Sequence, residues 1–206
     1  MPQVTLSELV QAAVSGESLI SFPTDTVPAL ASRPDRAGLI YAAKQRSETK
    51  PLILMAADVI DLWDYVQGSD AEQVAWEEMA DRYFPGAITL VLPANDRLPK
   101  AMNPTDPTTI GIRVPKHPIA RQILRLTRPL ATTSVNRSGE PPLLNMDTID
   151  AAFPEVYTLS PAALKSLESQ TTGPSMPGSG KPSTVVKWTG QGWEILRQGE
   201  VVLEPF

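Results

Sequence analysis

Apolar positions along the chain fall into short runs separated by polar, proline-rich joins, a spacing that suits strands alternating with short helices. Leu19-Ile20-Ser21-Phe22 is a strand closed by Pro23, whose missing backbone donor fits a strand end. Arg36 to Gln45 places Leu39, Ile40 and Ala43 at helical spacing, and Pro51 to Met55 then begins a second strand. Asp58 to Tyr65 and Asp70 to Tyr83 are predicted helices, the second with Asp70 as N-cap and Pro85-Gly86 as its stop. Ile88 to Leu92 is the next strand. Ile110 to Val114, Ile119 to Leu126 and Leu130 to Thr133 read as strand, helix and strand, which predicts a βαβ crossover. Val156 to Leu159, Thr184 to Trp188 and Trp193 to Leu196 are further strands, the last two joined in a hairpin around Thr189 to Gly192. The expected fold is α/β: one domain over residues 1–206, a twisted mixed parallel/antiparallel sheet with flanking helices. The Gly-, Pro- and Ser-rich stretch at about 169–182 is expected to be a flexible loop, and too little chain follows it for a second domain, which favours a lid.

Composition narrows the classes. The 206 residues, 42% hydrophobic, can bury a core without a covalent staple, and the absence of cysteine excludes disulfides and thiolate metal sites. No run of about 20 apolar residues and no basic-then-apolar leader occurs, so a cytoplasmic protein outside the membrane is expected. A net charge of −5 offers no general field for polyanions. RNA binding is therefore expected to be weak, and only where basic groups concentrate locally.

Candidate chemistry is defined first by elimination. His117 is the single histidine, which removes His-based metal sites and a serine triad; no dinucleotide fingerprint, Walker loop, GxSxG or paired CxxC is present. Four polar joins remain: Pro23 to Thr26, Lys44 to Lys50, Thr109 to Arg113 and Thr132 to Gly139. Lys44, Arg46, Lys50 and Arg113 could together neutralise a polyphosphate or a carboxylate at the strand ends of an open sheet. Lys44 and Arg46 diverge on a continuing helix, so shared ligation requires the chain to leave the helix there. Each piece also has a plain structural explanation. Cations suit a helix C-terminus, Thr-Ser-Val-Asn-Arg-Ser-Gly suits a turn, and Arg113 could lie on a solvent face of its strand as readily as be held for an anion.

Taken in order, six segments resemble the YrdC family, the threonylcarbamoyl-AMP synthases. They are PTDTV (23–27), KQR with KPL (44–52), FPGAITLVL (84–92), TIGIRVPKHP (109–118), TSVNRSGEP (133–141) and GKPSTVV with ILRQGE (180–200). The resemblance implies synthesis of threonylcarbamoyl-AMP and pyrophosphate from L-threonine, bicarbonate and ATP, for threonylcarbamoyladenosine in tRNA, with the product passed to a tRNA threonylcarbamoyl transferase. Lys44, Arg46, Ser134 and Asn136 would form its catalytic signature. Lys44, Arg46, Lys50, Thr109, Ser134, Asn136 and Arg197 would bind ATP; Thr26, Arg113, Thr132 and Ser183 would bind threonine. Mg²⁺ would be carried mainly by the phosphates, with no metal site of the protein's own. The chain departs from the family pattern at Pro28-Ala29, Ser47, Val135 and Lys187; Val135 is expected to crowd the pocket. A relative acting on another amino acid or acyl substrate, and an RNA-binding protein, are the competing functions.

Overall fold

The computed structural model describes residues 2–170 and 177–203. Its strands are β1 (Gln3–Val4), β2 (Ile20–Phe22), β3 (Ala29–Ser32), β4 (Ile53–Met55), β5 (Ile88–Pro93), β6 (Thr109–Arg113), β7 (Leu130–Ser134), β8 (Tyr157–Leu159), β9 (Thr184–Trp188) and β10 (Trp193–Arg197). The helices are α1 (Leu6–Ser15), α2 (Gly38–Lys44), α3 (Ile60–Trp63), α4 (Asp70–Tyr83), α5 (Pro118–Thr127), α6 (Met146–Ala152) and α7 (Pro161–Gln170). All ten strands form one sheet in the order β1-β8-β2-β3-β7-β4-β6-β5-β9-β10. Pairings β1 with β8, β8 with β2, β4 with β6 and β5 with β9 are parallel, and the rest antiparallel. The mixed α/β sheet expected from the apolar runs is therefore present, including the β9–β10 hairpin.

Strand alternation sorts side chains between two layers. Leu54, Leu90, Ile112 and Ala131 face one side and pack with Tyr41 of α2, Leu62 of α3, Trp76 and Met79 of α4 and Ile149 of α6. On the other side, Ile20, Phe22, Ala31 and Leu130 meet Leu9 and Ala13 of α1, Ile119, Ile123 and Leu124 of α5, and Leu167 of α7. These last helices cover β8, β2, β3 and the neighbouring ends of β7 and β4. Among the described residues no helix packs on the same face of β6, β5 and β9 or on the start of β4, and this uncovered half of the sheet positions the site.

Three local expectations are corrected. β6 and β7 do not form a parallel βαβ unit: β4 lies between them, parallel to β6 and antiparallel to β7, so α5 returns the chain in the opposite direction. Ser69, not Asp70, caps α4, because its hydroxyl and the Glu72 carboxylate satisfy each other's backbone donors in a capping box. The predicted Asp58 to Tyr65 helix shortens to the single turn Ile60–Trp63. Among the described residues no helix is long and apolar enough to cross a membrane.

Candidate active site

The uncovered half-sheet is the floor of a cavity of about 480 Å³, a volume in the range of small-molecule sites. Register explains its floor. Thr132, Ile53, Gly111 and Val91 lie across β7, β4, β6 and β5 in one row, and Met55, Arg113, Thr89 and Val185 in the next. Each row faces the cavity, while the alternate residues Ile110, Ile112, Leu54 and Leu90 enter the core. Gly111 sits at the centre. A β-carbon there would stand 3.1 Å from the Thr89 methyl and 3.6 Å from Ile53, so a longer side chain has only the cavity to enter. The site thus lies on a sheet face and not, as expected from open α/β sheets, beyond the strand ends.

One wall is cationic. Helix α2 ends at Gln45, which is left-handed with φ 51°, and the chain leaves the helix as the sequence required. Arg46 then reaches the cavity and donates to Lys50 O at 3.3 Å, Pro51 O at 3.0 Å and Thr133 Oγ1 at 3.0 Å. Every partner is neutral, and burial lowers its pKa from the ordinary arginine value. Lys50 and Arg197 line the same space, Arg197 held through two donations to Ser183 O. Among the described residues, none of these three cations forms an ion pair.

Lys44 and Asn136, expected among the nucleotide ligands, do not line the cavity. Lys44 is 1% exposed. Its Nζ donates to Ser134 O, to Asn136 O at 2.7 Å and to Asn136 Oδ1 at 2.9 Å. Burial first, then the charges of Arg46 and Lys50, push its pKa down to about 7. Leaving the helix at Gln45 frees Arg46 for the cavity but turns Lys44 toward the loop after β7. Ser134 and Thr109 do line the cavity, the latter fixed by Asp106 and Asn103.

The opposite end is built around Arg113, buried at 4% exposure. Its Nε donates to Gly86 O at 3.1 Å, Nη1 to Thr26 Oγ1 at 2.9 Å and Nη2 to Asp25 Oδ1 at 2.8 Å. Burial lowers its pKa and Asp25 offsets part of that. Three of its five N–H groups are thereby engaged, leaving two for a ligand. Thr26 is set by the PTDTV turn, in which Thr24 Oγ1 donates to Val27 O and accepts from Thr26 N. Ser183 Oγ lies 2.9 Å from Thr89 Oγ1, and Thr132 Oγ1 donates to Ile53 O.

Met55, Thr89 and Asn103 lie outside the four polar joins, and Asp25, Gly111 and Thr133 lie within them without an assigned role. Alternation along Thr109-Ile110-Gly111-Ile112-Arg113 could have found Gly111, since it shares a face with Arg113. Pro28 and Ala29 line the cavity. Val135, expected to crowd it, is instead fully buried in the core. Of the expected lid, residues 171–176 lie outside the described residues, while Ser179 N and Gly180 N donate to Asp25 O and Thr26 O. Among the described residues no group of three or more His, Asp or Glu could hold a metal ion.

A ten-stranded mixed sheet with helices on both faces, one half-face left open and walled by arginines and hydroxyls, defines an α/β domain whose cavity presents cations and hydrogen-bonding groups on the sheet. Comparison with known proteins gives the particular family. A family model, Sua5_yciO_yrdC, described as "Telomere recombination", matches residues 12–199, and the chain belongs to that family. A threonylcarbamoyl-AMP synthase of Chromohalobacter salexigens is 36% identical over 74% of this chain and 83% of its own length. The Bos taurus threonylcarbamoyl-AMP synthase is 32% identical over 73% of this chain, which spans 55% of that protein. Among solved structures, P. abyssi Sua5 complexed with L-threonine superposes with a TM-score of 0.77 at 28% identity, covering 94% of this chain and 54% of that one. E. coli YciO, at 22% identity and a TM-score of 0.74, shares the fold over 96% of this chain and 92% of its own.

Proposed function

We propose that this chain is an L-threonylcarbamoyladenylate synthase. It would form threonylcarbamoyl-AMP and pyrophosphate from L-threonine, bicarbonate and ATP in the cytoplasm, for threonylcarbamoyladenosine in tRNA. The observation that carries it is one cavity with two differently charged ends, in a family whose relatives bear that activity as their name. Arg46, Lys50 and Arg197 hold the phosphates at one end, with Thr109 and Ser134 on the nucleotide. Thr26, Arg113, Thr132 and Ser183 hold threonine at the other, where the two N–H groups left on Arg113 meet its carboxylate.

The chemistry asks mainly for placement. Threonine's amine and bicarbonate condense to a carbamate with loss of water. A carbamate oxygen then bonds to the α-phosphorus while the bond to pyrophosphate breaks. Both reactants are anions, and fixed cations offset their repulsion without reorganising during the step. Arg46, Lys50 and Arg197 suit this because the described protein gives them no internal counterion. Magnesium would come with the phosphates, since the described residues lining the cavity include no carboxylate. The product would pass to a tRNA threonylcarbamoyl transferase.

Pyrophosphate release from ATP, magnesium and bicarbonate, with and without L-threonine, tests this, with the product identified by mass. Threonine-dependent release is expected. A second reading, a different amino-acid substrate, is favoured by the apolar lining that Pro28, Ala29 and Met55 give the cavity, with Met55 paired to Arg113. Under that reading threonine is silent and another amino acid tightens ATP binding.

A further inference from the structure

The corner between α2 and the loop after β7 has a direction that the cavity walls alone do not show. A lysine ammonium has three donors and no acceptor. Protonated, Lys44 commits all three donors to Ser134 O, Asn136 O and Asn136 Oδ1; deprotonated, it has two N–H groups for the same three acceptors, so neither form leaves a donor for a phosphate. The Asn136 amide is committed as well. Its Nδ2 donates to Arg137 O at 2.9 Å and Glu140 O at 2.7 Å, which fixes Oδ1 as the atom facing Lys44 and Ser134. Ser134 Oγ therefore donates to Asn136 Oδ1, at 2.6 Å. With its one proton spent, that hydroxyl can offer the cavity only lone pairs.

The same corner is tied down from outside. Ser138 N donates to Lys44 O at 3.1 Å, and the Arg137 guanidinium donates to Ala43 O and Ala152 O while lying 4.6 Å over the Phe153 ring. These bonds tie the helix end to the loop, and of the residues they join Ser134 is the one that lines the cavity.

We infer that Lys44 is a positioning residue, not a phosphate ligand: through Asn136 it fixes the Ser134 hydroxyl as a hydrogen-bond acceptor for a donor on the nucleoside part of the nucleotide. A phosphate offers oxygens and matches the arginines; a ribose hydroxyl or an exocyclic amine offers the proton that Ser134 lacks. This rests on the nucleotide site proposed above.

Calorimetric binding of ATP, AMP and adenosine to the wild-type chain, Lys44→Met, Ser134→Ala and the double variant tests it. Lys44→Met keeps a long side chain and removes the three donors. Each single variant is expected to weaken all three ligands by a similar factor, about tenfold for one well-placed hydrogen bond. The double variant should be no weaker than the singles, since both remove the same contact. A loss that grows from adenosine to ATP would make Lys44 a phosphate ligand and overturn the inference, as would unchanged binding of all three or additive losses. If Lys44→Met loses its circular dichroism spectrum, Lys44→Gln, which keeps donors for the same oxygens but no charge, takes its place, and a loss in that variant that grows from adenosine to ATP overturns the inference. Wild-type chain that binds no ATP would instead defeat the proposed function, a result distinct from any of these.

Discussion

Arg46 and Arg113 face the same cavity, yet their surroundings differ in one decisive respect. Arg46 is held by two carbonyls and a hydroxyl, so its full charge is available to a ligand. Arg113 is held by the Asp25 carboxylate in an ion pair with side-chain exposures of 4% and 16%. An anion arriving at Arg46 meets a net cation; an anion arriving at Arg113 meets a neutral pair with two spare donors. The first arrangement suits a polyphosphate, whose charge must be matched. The second suits a carboxylate recognised mainly by shape, because the pair itself adds no net charge and the nearby Arg197 supplies what attraction there is.

The strongest way to break the comparison is to erase the space shared by both ends. Gly111→Leu places a side chain over the floor between Ile53, Thr89 and Val91, where the backbone is ordinary extended strand. Loss of both ATP and threonine binding by at least about 100-fold, with the circular dichroism spectrum retained, is expected in calorimetry. Tight binding of either ligand would mean that it does not occupy this floor.

Next in size is Arg113→Ala. It leaves Asp25 without its counterion in a mostly buried place, and roughly 3 kcal/mol of stability should go with it. Urea unfolding would show the loss, together with loss of threonine binding. Arg46→Ala should do the reverse. No carboxylate depends on it, so the unfolding midpoint should barely move while ATP affinity falls about 30-fold, as for a charged hydrogen-bonding partner removed. Equal destabilisation by the two variants would erase the distinction between the two ends.

Much of the fold was legible because its central strands are bounded by prolines and glycines: Leu19 to Phe22, Pro51 to Met55 and Ile88 to Leu92 all contain observed strands. Strand β3 was hidden because Ala29–Ser32 is mostly small residues, buried throughout, with no alternation to reveal it. The antiparallel return of β7 was hidden because β4, distant in sequence, inserts between β6 and β7. Arg46, Arg113 and Thr26 could be picked out as polar groups in joins between apolar runs, whereas Ser183 enters only through the family resemblance. Asp25 could not, since it acts through a partner 88 residues away, and Gly111, which has no side chain, shows only through the strand alternation that it shares with Arg113. Lys44 and Arg46 look alike as candidate anion ligands in the sequence, because spacing along a helix says nothing of which oxygens a lysine will find.

The smallest effect concerns the third cation of this region, Lys44. Its pKa is lowered from 10.5 to about 7 by burial, then by Arg46 and Lys50. Between those two values the unfolded chain carries a proton that the folded chain does not, so stability attributable to Lys44 should rise with pH through that window and level off outside it. The wild-type minus Lys44→Met difference in urea unfolding, followed across the window, should show that slope, at most one proton per molecule. Nucleotide should act in the opposite sense. Phosphates at Arg46 and Lys50 cancel two of the charges that depress Lys44, so its pKa rises on binding and the site takes up protons from solution. Calorimetric titration of ATP at pH about 8 in buffers of different ionisation heat would detect this uptake, and Lys44→Met should abolish it. Uptake unchanged in that variant would place the linked proton elsewhere and leave the Arg46 end with no electrical connection to the buried lysine behind it.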